Sequence, residues 1–216
     1  MWADGAIIMA DNVLSKVALS RRSWTRRSAR DSHTDVATVP VLSVGGYARA
    51  DGGPPAFGSA SHQFTPASSL ETLPPVSLSN LDGDPAPLAA GQGKVLLVNI
   101  WATWCQSCLT DLPLLERFHE AVGDRVDVAA ISIDKADQGL VRRYLKMISI
   151  HSVPIYLDPD ERLASSSSES PAPLPIFGLP ITYLITPSGR IAGYVSGISD
   201  WLTQDARKLL AYYASA

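Results

Sequence analysis

Both cysteines of this chain, Cys105 and Cys108, fall within one stretch, Val95 to Pro113 (VLLVNIWATWCQSCLTDLP), with two residues between them. Seven mostly apolar residues, Val95 to Trp101, lead into them, and a helix-like pattern containing a proline follows. A run of that length and apolar continuity suits a strand buried on both faces, as in a central parallel sheet. An apolar strand, a short turn carrying Cys-x-x-Cys and a helix beginning at the first sulfur make a dithiol redox site.

Thiol–disulfide exchange needs one thiolate to attack a disulfide and a second thiol to resolve the mixed disulfide. At the helix start, unpaired N–H groups and the helix dipole favour a negative sulfur on Cys105. Cys108, one turn on, faces the core stripe and is the resolving thiol. A disulfide closing so small a loop removes little chain entropy, so a purely structural staple is not expected. Asp111 lies six residues past Cys105, about 240° round a helix counted from there, and is expected to point away.

Two cysteines are too few for a disulfide framework or a four-thiolate zinc site. The four histidines show no pair three to five residues apart, so no metal and no cofactor are expected. Residues 51–216 carry eleven Lys/Arg against seventeen Asp/Glu, and this acidic body argues against nucleic acid as partner.

Along the chain, the helix after Cys105 shows one apolar stripe, Cys108, Leu112, Leu115, Phe118 and Val122, with Pro113 inside it. Val126 to Ile133 reads as a second buried strand, Gln138 to Ile150 as a helix, and Pro154 to Leu157 as a short strand. Ala164 to Pro175 (ASSSSESPAPLP) is low in complexity and expected to be a surface loop. Ile181 to Ile185 and Arg190 to Val195 flank a Pro-Ser-Gly turn and read as a hairpin. Trp201 to Tyr213 closes the chain as a helix. Parallel units followed by an antiparallel hairpin imply an α/β fold with a mixed sheet and helices on its faces.

The folded domain is expected over residues 71–216. Residues 51–70 (DGGPPAFGSASHQFTPASSL) are rich in Gly, Pro, Ser and Ala, too poor in apolar surface to order themselves, and read as a linker. Residues 1–50 carry seven Lys/Arg against four Asp/Glu. Their basic cluster from Arg21 to Arg30, an apolar region and Ala48-Arg49-Ala50 come in the order of an export signal. The two readings of residues 1–50 are a degenerate export signal and a disordered tail. No stretch reaches the roughly 18–20 apolar residues that span a bilayer.

Val98-Asn99-Ile100-Trp101-Ala102-Thr103-Trp104-Cys105-Gln106-Ser107-Cys108, with Pro113 five residues on, resembles the active-site run of TlpA-like thiol:disulfide interchange proteins of the thioredoxin superfamily. Gly178-Leu179-Pro180-Ile181-Thr182-Tyr183, followed by Pro187-Ser188-Gly189-Arg190-Ile191, resembles the cis-proline segment and hairpin of the same family. The resemblance covers about residues 72–216 and implies a thioredoxin-like three-layer sandwich, a mixed central sheet with helices on both faces.

It further implies a cis Leu179–Pro180 bond and an apolar substrate rim of Trp104, Leu109, Leu179 and Pro180 around Cys105. The implied function is that of a monomeric periplasmic reductant, drawing electrons from a membrane thiol donor. Its targets would be protein disulfides, among them copper-handling assembly factors of cytochrome oxidase or apocytochrome c. Leu109 stands where the family often has Lys or Arg, and Ile181 intervenes after the cis-proline. The Ser-rich run stands where a helix is often found, and Asn99 where thioredoxin itself has an acid that relays a proton. Within the same chemistry the alternative is a cytoplasmic thioredoxin-like reductase. A peroxiredoxin-type peroxidase would need a Pro-x-x-x-Thr-x-x-Cys setting that is missing, and a non-catalytic copper carrier would use the two thiols as soft ligands.

Overall fold

The computed structural model describes residues 53–88, 90–135, 138–169 and 171–215. The basic cluster and the Ala48-Arg49-Ala50 site of the export-signal reading lie outside the described residues.

The apolar run forms a strand, β4 (Val95–Trp101), with all seven residues buried. It pairs in parallel with β5 (Val126–Ser132) and antiparallel with β9 (Ile181–Ile185), and so holds the middle of an eight-stranded sheet. Beyond β5 come β6 (Ile155–Leu157), β2 (Ser77–Ser79) and β3 (Pro85–Pro87); beyond β9 come β10 (Ile191–Ser196) and β1 (Thr65–Pro66). Among the described residues, three helices connect or follow these strands: α1 (Cys108–Val122), α2 (Gln138–Met147) and α3 (Gln204–Ala214). No described helix is long and apolar enough to cross a membrane.

Alternation along β4 sorts its side chains between two cores. Leu97 and Trp101 join Cys108, Leu112, Leu115 and Phe118 of α1, with Tyr144 of α2 and Leu209 of α3, in one cluster. Leu96, Val98 and Ile100 join the other, which is closed by Leu73, Leu163 and Leu174 rather than by helix. Buried residues of all three helices thus belong to one face. On the other stand irregular segments and a two-stranded parallel pair, β7 (Ala164–Ser165) and β8 (Leu174–Pro175). The expected surface loop 164–175 is therefore anchored at both ends, where Leu163, Ala164 and Leu174 are buried. Its Ser/Pro-rich middle has few helix formers, so no helix fills the place that the resemblance gives one.

The linker expected over residues 51–70 is corrected from residue 54 onward. Phe57 is buried and its ring lies 4.6 Å from that of Trp201, while Phe64 lies 5.8 Å from Tyr213. Thr65 and Pro66 pair with Tyr194 and Gly193 on the free edge of β10. The approach there is close. A Cβ on Gly193 would come within 2.4 Å of the Thr65 carbonyl oxygen, so the position requires glycine. Composition argued against order, but two aromatic rings supply the apolar area and an open sheet edge supplies the backbone partners. Phe57→Ala is accordingly expected to cost about 3 kcal/mol, read as a lowered midpoint in urea unfolding. An unchanged midpoint would return the segment to a linker.

Candidate functional site

Cys105 and Cys108 form a disulfide, with Cα atoms 5.4 Å apart. The helix begins later than expected, at Cys108 rather than Cys105. Residues 105–110 instead make successive i→i+3 bonds: Cys108 N–H to Cys105 O, Leu109 N–H to Gln106 O, and Thr110 N–H to Ser107 O. The Cys105 sulfur therefore sits just ahead of the helix, where the Cys108 N–H donates to it at 3.2 Å. Cys108 is wholly buried, whereas Cys105, though only 6% exposed, lines the floor of an open groove.

The turn before Cys105 is held by a buried acid at the end of β5. Asp134 accepts from the Thr103 N–H at 2.9 Å, from the Thr103 hydroxyl at 2.6 Å and from the Ser132 hydroxyl at 2.7 Å. On the other side stands Pro180, preceded by a cis peptide bond, its carbonyl accepting from the Gly197 N–H at 2.7 Å.

A second buried acid lies one helical turn past Cys108, and here the expected orientation is overturned. Asp111 is buried. Its Oδ2 accepts from Asn99 Nδ2 at 2.8 Å, and its Oδ1 accepts from the Ser199 N–H at 2.9 Å. Counting rotation from Cys105 misplaced it, because residues 105–107 are turn and not helix. Counted from Cys108 it lies one turn on, on the face of the buried sulfur. Asn99 also donates to Thr182 Oγ1 at 2.9 Å, joining β4, β9 and α1 in one polar network. Burial pushes the Asp111 carboxyl up to about 6, against the opposing pull of the hydrogen bonds from Ser199 and Asn99. An acid at that value titrates near neutrality, which Asn99 cannot do.

Of the expected rim, Trp104 and Leu179 line the groove together with Cys105. Leu109 packs half-buried against the helix-side core, and Pro180 is buried behind the groove rather than in its wall. The groove, about 960 Å³ in volume, is completed by residues that no motif singled out: Leu140, Ile176 and Phe177 on the apolar side, and Lys135 and Glu161 on the polar side. Among the described residues no group of three or more His, Cys, Asp or Glu side chains is placed to hold a metal ion.

The AhpC/TSA family model matches residues 70–193. The chain is similar to the thiol-disulfide oxidoreductase ResA of Bacillus subtilis (strain 168), with 26% identity over 121 residues, which are 56% of this chain and 63% of the relative. It is also similar to the thioredoxin-like protein YneN of the same organism, with 32% identity over 68 residues, or 32% of this chain and 40% of the relative. It thus spans less than two thirds of either relative's length. Among solved structures, a thiol:disulfide interchange protein of the thioredoxin family from Chlorobium tepidum TLS superposes with a TM-score of 0.54 at 21% identity. That match covers 68% of this chain and 99% of the other, and it shows a thioredoxin-like fold.

Proposed function

This chain belongs to the AhpC/TSA family, and on that premise we propose that it is a TlpA-like thiol:disulfide oxidoreductase of the thioredoxin superfamily acting on proteins. One observation carries the reading: a Cys105–Cys108 disulfide with one sulfur on an open groove, ahead of a helix N-terminus, and the other sealed in the core.

In the reduced chain the Cys105 thiolate attacks one sulfur of a substrate disulfide, forming a mixed disulfide and releasing a substrate thiolate. Cys108 then loses its proton and attacks the Cys105 sulfur, releasing the second substrate thiolate. The protein ends as the Cys105–Cys108 disulfide, and the substrate has gained two electrons and two protons. Asp111, one helical turn from Cys108, is the acid placed to take the proton that Cys108 gives up. Trp104 and Leu179 meet the substrate beside Cys105.

We place this work in the periplasm, as the reduction of cytochrome oxidase copper-assembly factors or apocytochrome c with electrons from a membrane thiol donor. The supports are the likeness to TlpA-like proteins and the order of basic cluster, apolar region and Ala48-Arg49-Ala50. The folded unit in this reading takes in residues 54–70 with 71–216. Expressing Cys108→Ser in cells, isolating the mixed disulfide on Cys105 and fractionating the cells tests the whole. The expected result is a periplasmic complex with a cytochrome-assembly protein. A complex found only in the cytoplasm, with general protein disulfides attached, replaces it with the cytoplasmic reductase.

A further inference from the structure

Exposed large apolar residues cluster at the groove. Of seven among the described residues, Trp104, Leu140 and Phe177 line it. Phe177 is 65% exposed and Trp104 70% exposed. Single exposed apolar residues need no explanation, but a group of them around a reactive sulfur marks a contact surface.

Phe177 is also held in place. Its ring packs 5.2 Å from that of Tyr194, which packs 5.5 Å from that of Tyr183 inside the second core. The Tyr183 hydroxyl donates to the Pro175 carbonyl and so ties residues 175–177 to this ladder of rings. A ring kept in water by a rigid support, when it could fold back, is preorganised for something else to cover.

The polar wall offers a charged ligand little. Asp134 spends both carboxylate oxygens on Thr103 and Ser132. Glu161 gives one oxygen to Lys135 at 3.2 Å and the other to the Ser165 hydroxyl at 2.8 Å. Lys135 and Glu161 pair with each other and the oxygens of Asp134 are already engaged by hydrogen bonds, so the area left for recognition is mainly apolar.

We propose that the groove selects protein disulfides whose half-cystine has a bulky apolar side chain beside it, and that Phe177 is the specificity-determining residue. The proposal rests on the exchange reading above and names its substrate class. The occupant is an extended polypeptide segment that sets its cystine at Cys105 and its apolar neighbour against Phe177 and Trp104.

The test uses reduced full-length protein and peptides carrying thionitrobenzoate in mixed disulfide, identical except for Phe, Ser, Asp or Lys next to the half-cystine. Release of thionitrobenzoate gives the rate constant for each. The Phe peptide is expected to react roughly tenfold faster than the Ser peptide or more, the discrimination one well-placed apolar group supplies. In Phe177→Ser the Phe/Ser ratio is expected to fall towards one, and in Phe177→Tyr to persist. Because the ratio is internal to each variant, a general loss of rate does not imitate the result. A ratio near one in the wild type, a ratio unchanged in Phe177→Ser, or a charged peptide reacting as fast as the Phe peptide overturns the proposal. Failure to reduce any peptide, and hydroxyethyl disulfide as well, overturns the exchange reading beneath it.

Discussion

Cys105→Ser is expected to lower the rate of disulfide reduction by on the order of a thousandfold or more, the loss typical when a nucleophile is removed. Serine at this position meets the same Cys108 N–H and the same helix end, but its hydroxyl stays protonated near neutrality and does not exchange with disulfides. Cys108 cannot take over, since it is wholly buried and a protein disulfide cannot reach it. The companion variant Cys108→Ser should behave differently. It keeps the first attack, gives a single burst of substrate thiol and stops as a mixed disulfide on Cys105. Reduction of insulin or hydroxyethyl disulfide by the three reduced proteins distinguishes these outcomes. A Cys105→Ser protein that turns over at the wild-type rate would remove the proposed chemistry altogether.

Asp111 carries the second large effect, on the pH dependence of stability. Burial raises its carboxyl from 3.8 to about 6, so the folded chain holds this proton more tightly than the unfolded chain does. The stability that follows is fully present below about pH 3.8 and is lost as the pH rises through about 6, a loss of about 3 kcal/mol for a shift of about two units. Asp111→Asn does not titrate and lacks that loss. Its amide can accept from only one of the Asn99 and Ser199 donors, which lowers its stability by a further amount at every pH. The slope is therefore the measurement: urea unfolding of the oxidised proteins at several pH values between about 3.5 and 7. The wild type is expected to lose stability relative to the variant across that window. Parallel curves would show that Asp111 is not the group responsible. In exchange assays the same variant is expected to resolve the mixed disulfide roughly a hundredfold more slowly, the usual share of a positioned acid or base.

Much of this architecture was legible from neighbouring residues. Val95–Trp101 runs over the expected bounds, because a continuous apolar run flanked by turn residues leaves little choice but a buried strand. The stripe through Leu112, Leu115 and Phe118 is buried as its spacing implies. The start of α1 was less legible, since Cys105 to Ser107 form a turn that local pattern does not separate from a first helical turn. That error of three residues was enough to send Asp111 to the wrong side. Phe57 was hidden for another reason. Its neighbours are Gly, Pro, Ser and Ala, and its value to the fold appears only opposite Trp201, far along the chain.

By itself, then, the sequence determined the strand–turn–helix unit, the order of the central strands and helices and the pairing of the two sulfurs, because these depend on residues within a turn or two of each other. The short strands β1, β3, β7 and β8 were not legible in it. Only the tertiary structure decided which acid is buried on the Cys108 side of the helix and that the Phe177 ring stands in the groove wall. Asp111 meets Ser199 across 88 positions and Asn99 meets Thr182 across 83. Burial, which raises the Asp111 carboxyl and leaves Phe177 in the open, is a sum over distant segments that no local pattern encodes.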